Sequence, residues 1–426
     1  MEIVHKVCCG IDVHKKHVTA AIAISNPITL EASYFVKNFK TFNSDLINLR
    51  DWILSYNCYE VCMESTGKYW IPVFNTLESH MHTILTHPKY VKAIKGKKTD
   101  NHDAKWIANL FRFDIVRSSF IPPAEIRALR ELFRYRCKLS HQRTAEKNRY
   151  QNSMTISRVR MDSVLTDPFG KTATNIMQYL LNTKNFSEAK CRSLIDFNVK
   201  AEKHDILMDS IKGFHILPEQ KFKMQKAKAH IDFINDIMED IEKQMFLLTR
   251  PYEKIISRAS VIPGITPFSA ACIIAEIGTD MTVFESDKNL ASWAGLVPAN
   301  NESAGKKKST RISKAGLYLK PLLIQCALSA IRSTKNPYFN IKYNRIKKRR
   351  GHKKAIIAIA RMMLISIYHI IKNDEEFKPS DFEEIVNPKQ RVKTPEFNIE
   401  NVIQFLKGQG ADEKAIEILI KQYSLP

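Results

Sequence analysis

Glycine and proline are scarce in this chain, at 13 and 17 of 426 residues. That scarcity excludes collagen-like and low-complexity proteins, which need both in quantity. No internal repeat is found, so solenoid and propeller arrays are excluded as well. Cysteine is sparse too. There are eight, none in a CxxC pair, and most lie inside apolar runs such as Val7-Cys8-Cys9. This reads as buried, reduced thiols in a cytosolic protein, not as a disulfide framework. The N-terminal stretch MEIVHKVCCGIDVHKKH lacks the long apolar segment of a secretory signal. Long hydrophobic runs are also missing. The longest, Ala355 to Ile371, is interrupted by Arg361 and His369 and reads as a core helix, not a membrane span. Acids are the last shortage: 44 Asp and Glu against 66 Lys and Arg leave a net charge of +22.

What is present follows from these exclusions. Hydrophobic residues make up 44% of the chain, enough to bury real cores. At roughly 150 residues per domain, the length predicts two to three domains. A surplus of +22 points to a polyanionic partner, because phosphate neutralisation with counterion release is the usual use of such an excess. The surplus is clustered. Ile341 to Lys354 reads IKYNRIKKRRGHKK, with eight Lys and Arg and no acid, and Lys89 to Lys98 reads KYVKAIKGKK. Lys97, Lys98, Arg345, Lys347, Lys348, Arg349 and Arg350 are therefore candidate nucleic-acid contacts. Neither cluster distinguishes DNA from RNA. Tyr338 and Tyr343 could stack on bases, whereas Phe339 suits a core.

The patterning divides the chain. Val7 to Ser25 predicts a β-hairpin around the polar turn VHKKH, with Glu31 to Phe39 as a third strand. Asn43 to Ser55 has helical spacing, Glu60 to Met63 is a short strand ending in Glu64, Thr66-Gly67 opens a helix through Leu77, and His82 to Leu85 is another strand. Strands first, then strand and helix alternating, predict an α/β domain with a mixed sheet. From about Pro122 long helices take over. Ile231, Ile234, Met238, Ile241, Met245 and Leu248 step by three and four, the seam of a coiled coil or helical hairpin whose partner would start at Ala124. Thr166 to Phe222 predicts short helices. Beyond Pro251, VIPGITP leads into an apolar helix from Phe268 to Ile277 and reads equally as a helix-hairpin-helix DNA-binding turn or as an ordinary tight turn. Ser303 to Lys314 reads as a polar basic loop, and helices run on to about Lys372. The last fifty residues read as a linker with one or two small helices.

Four carboxylates stand out by position. Asp12 lies within the first hydrophobic strand, where a carboxylate costs several kcal/mol unless paired or metal-bound. Glu64 ends another apolar strand. Asp100 and Asp103, in GKKTDNHDAKWIANL, share one helical face, although Thr99 or Asp100 can equally be a cap with acids favoured in the first turn. Capping does not explain Asp12 or Glu64. Acids gathered from strand, strand and helix are what a hard divalent ion needs. His14, His17 and His102 read as surface or substrate-contact residues.

Six segments in order, GIDVHKKHV, MESTGKYW, HPKYVKAIKGKKTDNHDAKWIANL, PGITPFSAACIIAEIG, FESDKNLASWAGLVPANNESAGKKKSTRISKAG and KKRRGHKKAIIAIARMMLISIYHII, closely resemble the DEDD transposases of bacterial insertion sequences, the insertion sequence 110 family. The resemblance implies a RuvC-like domain of RNase H fold at residues 1–122 and a mainly α-helical C-terminal transposase domain at 253–372; the spacing puts a helical coiled-coil region at 123–252 between them, and the linker and tail at 373–426 lie outside the resemblance. The resemblance implies Mg2+, with Mn2+ as the alternative, held by Asp12, Glu64, Asp100 and Asp103. It also implies a serine nucleophile in the SAG-type loop, at Ser303. From composition alone Ser309 and Ser313 would serve equally. Lys306, Lys307, Lys308 and Arg311 would neutralise phosphate beside it. Implied partners are target and donor DNA, a structured non-coding bridge RNA as guide, and further copies of the chain in a dimer or tetramer, in the bacterial cytoplasm at the nucleoid with no membrane. The alternative is a RuvC-type nuclease or junction resolvase that uses metal-activated water and leaves Ser303 idle.

Overall fold

The computed structural model describes residues 2–64, 67–91, 99–183, 185–298, 301–303, 306–309, 311–386, 399–412 and 414–418. The chain forms two compact units. One holds Met1–Leu248 with Ile274–Thr279, and the other holds Thr249–Ile273 with Asp280–Pro426.

The first unit opens with β1 (Val7–Val13), β2 (His17–Ser25) and β3 (Ala32–Lys40), followed by α1 (Asn43–Leu54), β4 (Glu60–Glu64), α2 (Trp70–Leu77), β5 (His82–Thr86), the short α3 (Pro88–Val91) and α4 (Asp100–Phe111). The strands build one mixed sheet in the order β3-β2-β1-β4-β5, antiparallel through β1, β2 and β3 and parallel from β1 to β4 to β5. Strand alternation sorts the side chains. Ile11, Val13, Val18, Ala20, Ile22, Val61 and Met63 face α1 and α2, where Leu49, Ile53, Val73 and Leu77 bury against them. Each fully buried Val, Leu, Ile or Met among them contributes about 1.5–3 kcal/mol. Cys8, Ala23 and Cys62 face the other way and meet Ile107, Ala108 and Phe111 of α4. The buried set on α4, Ala104, Ile107, Ala108 and Phe111, repeats at helical spacing. A Cβ on Gly10 would lie 2.3 Å from the Ala108 nitrogen and 2.4 Å from the Ala104 oxygen. Only glycine lets β1 and α4 approach so closely.

Long helices follow, as the heptad spacing predicts. α5 (Ala124–Ile156) and α9 (Pro218–Leu248) pack along each other. Arg136 pairs with Glu242, Arg143 donates to Asn235, and His230 bonds Glu146. Rising numbers on one helix meet falling numbers on the other, so the two form an antiparallel hairpin. Ile231, Ile234, Met238, Ile241 and Met245 are all buried on α9, whereas Leu248, expected in the same seam, is exposed at the helix end. Between them α6 (Lys171–Asn182), α7 (Glu188–Ser193) and α8 (His204–Asp209) cap the hairpin around Met154, Ile176, Met177, Leu207 and Met224. The predicted irregular stretch ends earlier than expected, since α9 already starts at Pro218, a residue suited to a first helical turn.

The second unit holds α10 (Glu253–Ser260), most of α11 (Pro267–Ile277), α12 (Asp287–Trp293), the pair β6 (Asn301–Ser303) and β7 (Lys306–Ser309), α13 (Leu319–Ala330), α14 (Tyr338–Arg350), α15 (His352–Asn373), α16 (Phe382–Val386) and α17 (Ile399–Gly408). α15 packs on α10, α12, α13 and α14. By length and composition it could cross a membrane, yet half of its apolar window is buried inside the structure. One expectation changes here. The stretch predicted as a polar loop from Ser303 is in part an antiparallel β-pair. Its lysine-rich sequence has no apolar alternation and so carried no strand signal. The turn read as a helix-hairpin-helix element is seated on α13: Gly264 has φ +85°, and a Cβ there would lie 2.3 Å from the Cys326 oxygen. Its glycine serves helix packing, with Ile262 and Ile265 buried on either side.

Replacing Gly10 by Ala should push α4 off β1. We expect a loss of about 1–3 kcal/mol or more, read as a lower urea midpoint. An unchanged midpoint would contradict the close β1–α4 packing.

Candidate active site

Asp12 lies two residues after Gly10, so its side chain shares the α4 face of the sheet. It is 6% exposed. Glu64 follows Met63, the parallel partner of Ile11, so the ladder brings Asp12 and Glu64 level on neighbouring strands. Asp100 and Asp103 come from the first turn of α4, the helix laid on that same face. Thr99 caps it by accepting from the His102 backbone N–H, and the positive helix end favours both acids. The carboxylates of Asp100 and Asp103 come close enough to Asp12 to raise its proton affinity. Burial pushes the Asp12 carboxyl above its usual range, His14 opposes this, and Asp100 and Asp103 add to it.

Two histidines, expected as surface or substrate-contact residues, join the cluster while staying 43% exposed. His14 Nε2 lies 3.1 Å from Asp12 Oδ2 and 3.4 Å from Asp100 Oδ1. His17 Nε2 is 2.8 Å from Asp100 Oδ2. The His17 hydrogen bond, with His14 behind it, holds the Asp100 carboxyl below its usual range. His102 is exposed. The sequence signal for His14 and His17 is their place at the two ends of the β1–β2 turn, one strand end away from Asp12. Thr19 is opposite Asp12 on β2, fully buried, and donates to Asn38 on β3 at 2.8 Å. A desolvated carboxylate crowded by other carboxylates is an oxygen donor set whose repulsion a divalent cation relieves. The residues therefore fit such an ion.

In the second unit, Ser303 pairs with Lys306 at the closed end of the β-pair, while Ser309 stands opposite Asn301 at its base. Lys307 and Lys308 lie on β7, and Arg311 just beyond is exposed. Arg345, Lys347, Lys348, Arg349 and Arg350 are exposed at the end of α14, and Lys353 and Lys354 at the start of α15. Cations in the last turn of α14 complement its dipole. Those in the first turn of α15 oppose theirs, with no acid to offset them. Local helix stability does not account for that second group. Tyr338 and Tyr343, read as candidates for base stacking, are buried instead. Their hydroxyls bond Asp381 and His352 at 2.7 Å each. Phe339 is fully buried, as expected. Lys97 and Lys98 lie outside the described residues.

Carboxylates gathered at one end of a sheet, in a chain of charge +22, suit chemistry on a polyanion. Comparison with known proteins gives the family. Residues 9–157 match the DEDD model for IS110 elements, described as transposase, and residues 257–344 match the model of the transposase IS116/IS110/IS902 family. A probable family 20 transposase of Pseudomonas aeruginosa is 28% identical over 281 residues, 65% of this chain and 72% of that protein. The transposase for insertion sequence element IS1111A of Coxiella burnetii is 24% identical over 324 residues, 75% of this chain and 79% of that protein. The chain belongs to the IS110 family of DEDD transposases, enzymes that act on DNA, and the family points to divalent-metal use.

Because burial makes ionised Asp12 costly, the penalty grows as pH rises above the ordinary carboxylate range. In chelator-treated protein at neutral pH, Asp12→Asn should raise the thermal midpoint. The gain should shrink as pH falls and the native carboxyl takes up its proton. A lower midpoint at neutral pH would contradict this electrostatic picture.

Proposed function

We propose that this chain cleaves and rejoins DNA through a covalent serine–DNA intermediate, with Ser303 as nucleophile and Asp12, Glu64, Asp100 and Asp103 as ligands of the divalent cation. The observation that carries the reading is the convergence of Asp12, Asp100 and Asp103 on one sheet face in a member of the DEDD family. The strand order β3-β2-β1-β4-β5, with acids ending β1 and β4, supports a RuvC-like, RNase H-type domain over residues 1–122. Residues 123–252 then act as a helical arm and 253–372 as the serine domain. When bound, Mg2+ or Mn2+ supplies charge stabilisation at the scissile phosphate and eases deprotonation of the attacking hydroxyl.

The protein's own part is nucleophile and positioning. Ser303 Oγ attacks phosphorus, forming a phosphoserine bond as the bond to a DNA oxygen breaks. The released DNA hydroxyl takes the proton, and attack by such a hydroxyl reverses the step and frees the serine. The family's SAG-type loop singles out Ser303, whose backbone pairs with Lys306, over Ser309. Lys306, Lys307, Lys308 and Arg311 follow it directly and can neutralise the phosphate. The exposed cations ending α14 and starting α15 suit nucleic-acid backbone. Guidance by a structured RNA, assembly into a dimer or tetramer, and work at the nucleoid rest on family resemblance and, for the RNA, on the charge of +22.

With a suitable DNA substrate and Mg2+, Ser303→Ala should abolish the denaturant-stable protein–DNA adduct while Ser309→Ala keeps it. Strand cleavage by wild-type protein without any adduct would assign the reaction to activated water. Nucleic acid that co-purifies should be a discrete structured RNA. Alanine at Arg345, Lys347, Lys348, Arg349 and Arg350 should strip it off and flatten the log-log salt dependence of binding by about 0.7–0.9 for each phosphate no longer neutralised. An unaltered slope would remove this face from the interface.

A further inference from the structure

His14 and His17 are not needed by the four-carboxylate reading, yet they are built into the same place. The turn between β1 and β2 is closed by the His14 N–H donating to the His17 oxygen at 2.9 Å. This holds the two rings stacked, centroids 4.9 Å apart. Both Nε2 atoms then point at carboxylate oxygens, His14 at Asp12 and Asp100, His17 at Asp100. One donor atom each from His14, His17 and Asp100 lie within 4.8 Å of one another. The spacings of 2.8–3.4 Å among these nitrogens and oxygens are close to the roughly 3 Å edge of an octahedron with ligands about 2.1 Å from its ion. Each imidazole is 43% exposed, open to an incoming ion, while Asp12 closes the buried side.

We propose that His14 and His17 are cation ligands in their own right, making the centre a mixed nitrogen and oxygen site that takes first-row transition ions such as Mn2+ more tightly than Mg2+. The inference rests on the reading of Asp12 and Asp100 as cation ligands and adds the kind of ion to it. Imidazole nitrogen suits transition ions, whereas Mg2+ keeps to oxygen. The competing role is mechanical: the rings clamp the carboxylates and never touch the ion.

Chelator-treated, full-length protein titrated with Mn2+ and with Mg2+ by calorimetry separates these. The His14→Ala, His17→Ala double variant should lose on the order of tenfold or more in Mn2+ affinity, with a much smaller change for Mg2+. Equal losses for both ions, or none, would overturn the proposal and leave the histidines as positioning residues. A second readout needs no variant: the electron spin echo of Mn2+ bound to the wild type should carry the modulation of directly coordinated imidazole nitrogen, and its absence would also overturn the proposal. Wild-type protein that binds neither ion would instead sink the cation-site reading itself, and this inference with it.

Discussion

Asp12 is an acid in the wrong place for stability, and the first unit is organised around tolerating it. A strand of Val, Cys, Gly and Ile delivers a carboxylate to the end of a buried sheet, under a helix whose first turn carries two more. The approach of α4 makes this possible. Gly10 beneath, with no side chain, and Ala104 and Ala108 above, with a methyl each, let helix and strand backbones meet at that point. Crowding of like charges in a desolvated pocket is a cost that a fold tolerates where function needs it. The histidines of the β1–β2 turn offset part of that cost in the protein alone.

The long hairpin of α5 and α9 follows different physics. Its seam is a plain apolar stripe, laced by pairs such as Arg136 with Glu242. Among the described residues of the first unit, the other buried acid is met by a base: Glu276, 3% exposed, is held by Nε and Nη2 of Arg134. Asp12 has no such arginine partner among the described residues. Glu276 is paired off with arginine; Asp12 faces Asp100 and Asp103, with the half-buried imidazole of His14 as its basic neighbour. That contrast separates stability from function in this unit more sharply than burial does.

Periodicity made much of the architecture legible. The β-hairpin, the alternation of strand and helix, and the two long helices all follow from apolar spacing, which tertiary packing then honours. Asp12 could be singled out because an ionised group inside an apolar strand has no bland explanation. What sequence spacing could not convey was three-dimensional pairing. His14 and His17 are unremarkable in a polar turn until the turn closes and aims both rings at Asp12 and Asp100. Tyr338 and Tyr343 look exposed beside so many lysines, yet each hydroxyl finds a partner from another segment, Asp381 or His352, and the rings bury. The β-pair at Asn301–Ser309 escaped because lysine-rich strands carry no alternation of polarity.

The central claim is that the acids at the end of β1 and the start of α4 form one cation centre. Crystals soaked in Mn2+, with diffraction recorded at the manganese absorption edge, test it most directly. The account expects a strong anomalous peak bounded by the carboxylates of Asp12 and Asp100. No peak there, with those carboxylates still bonded to the two imidazoles, would contradict it.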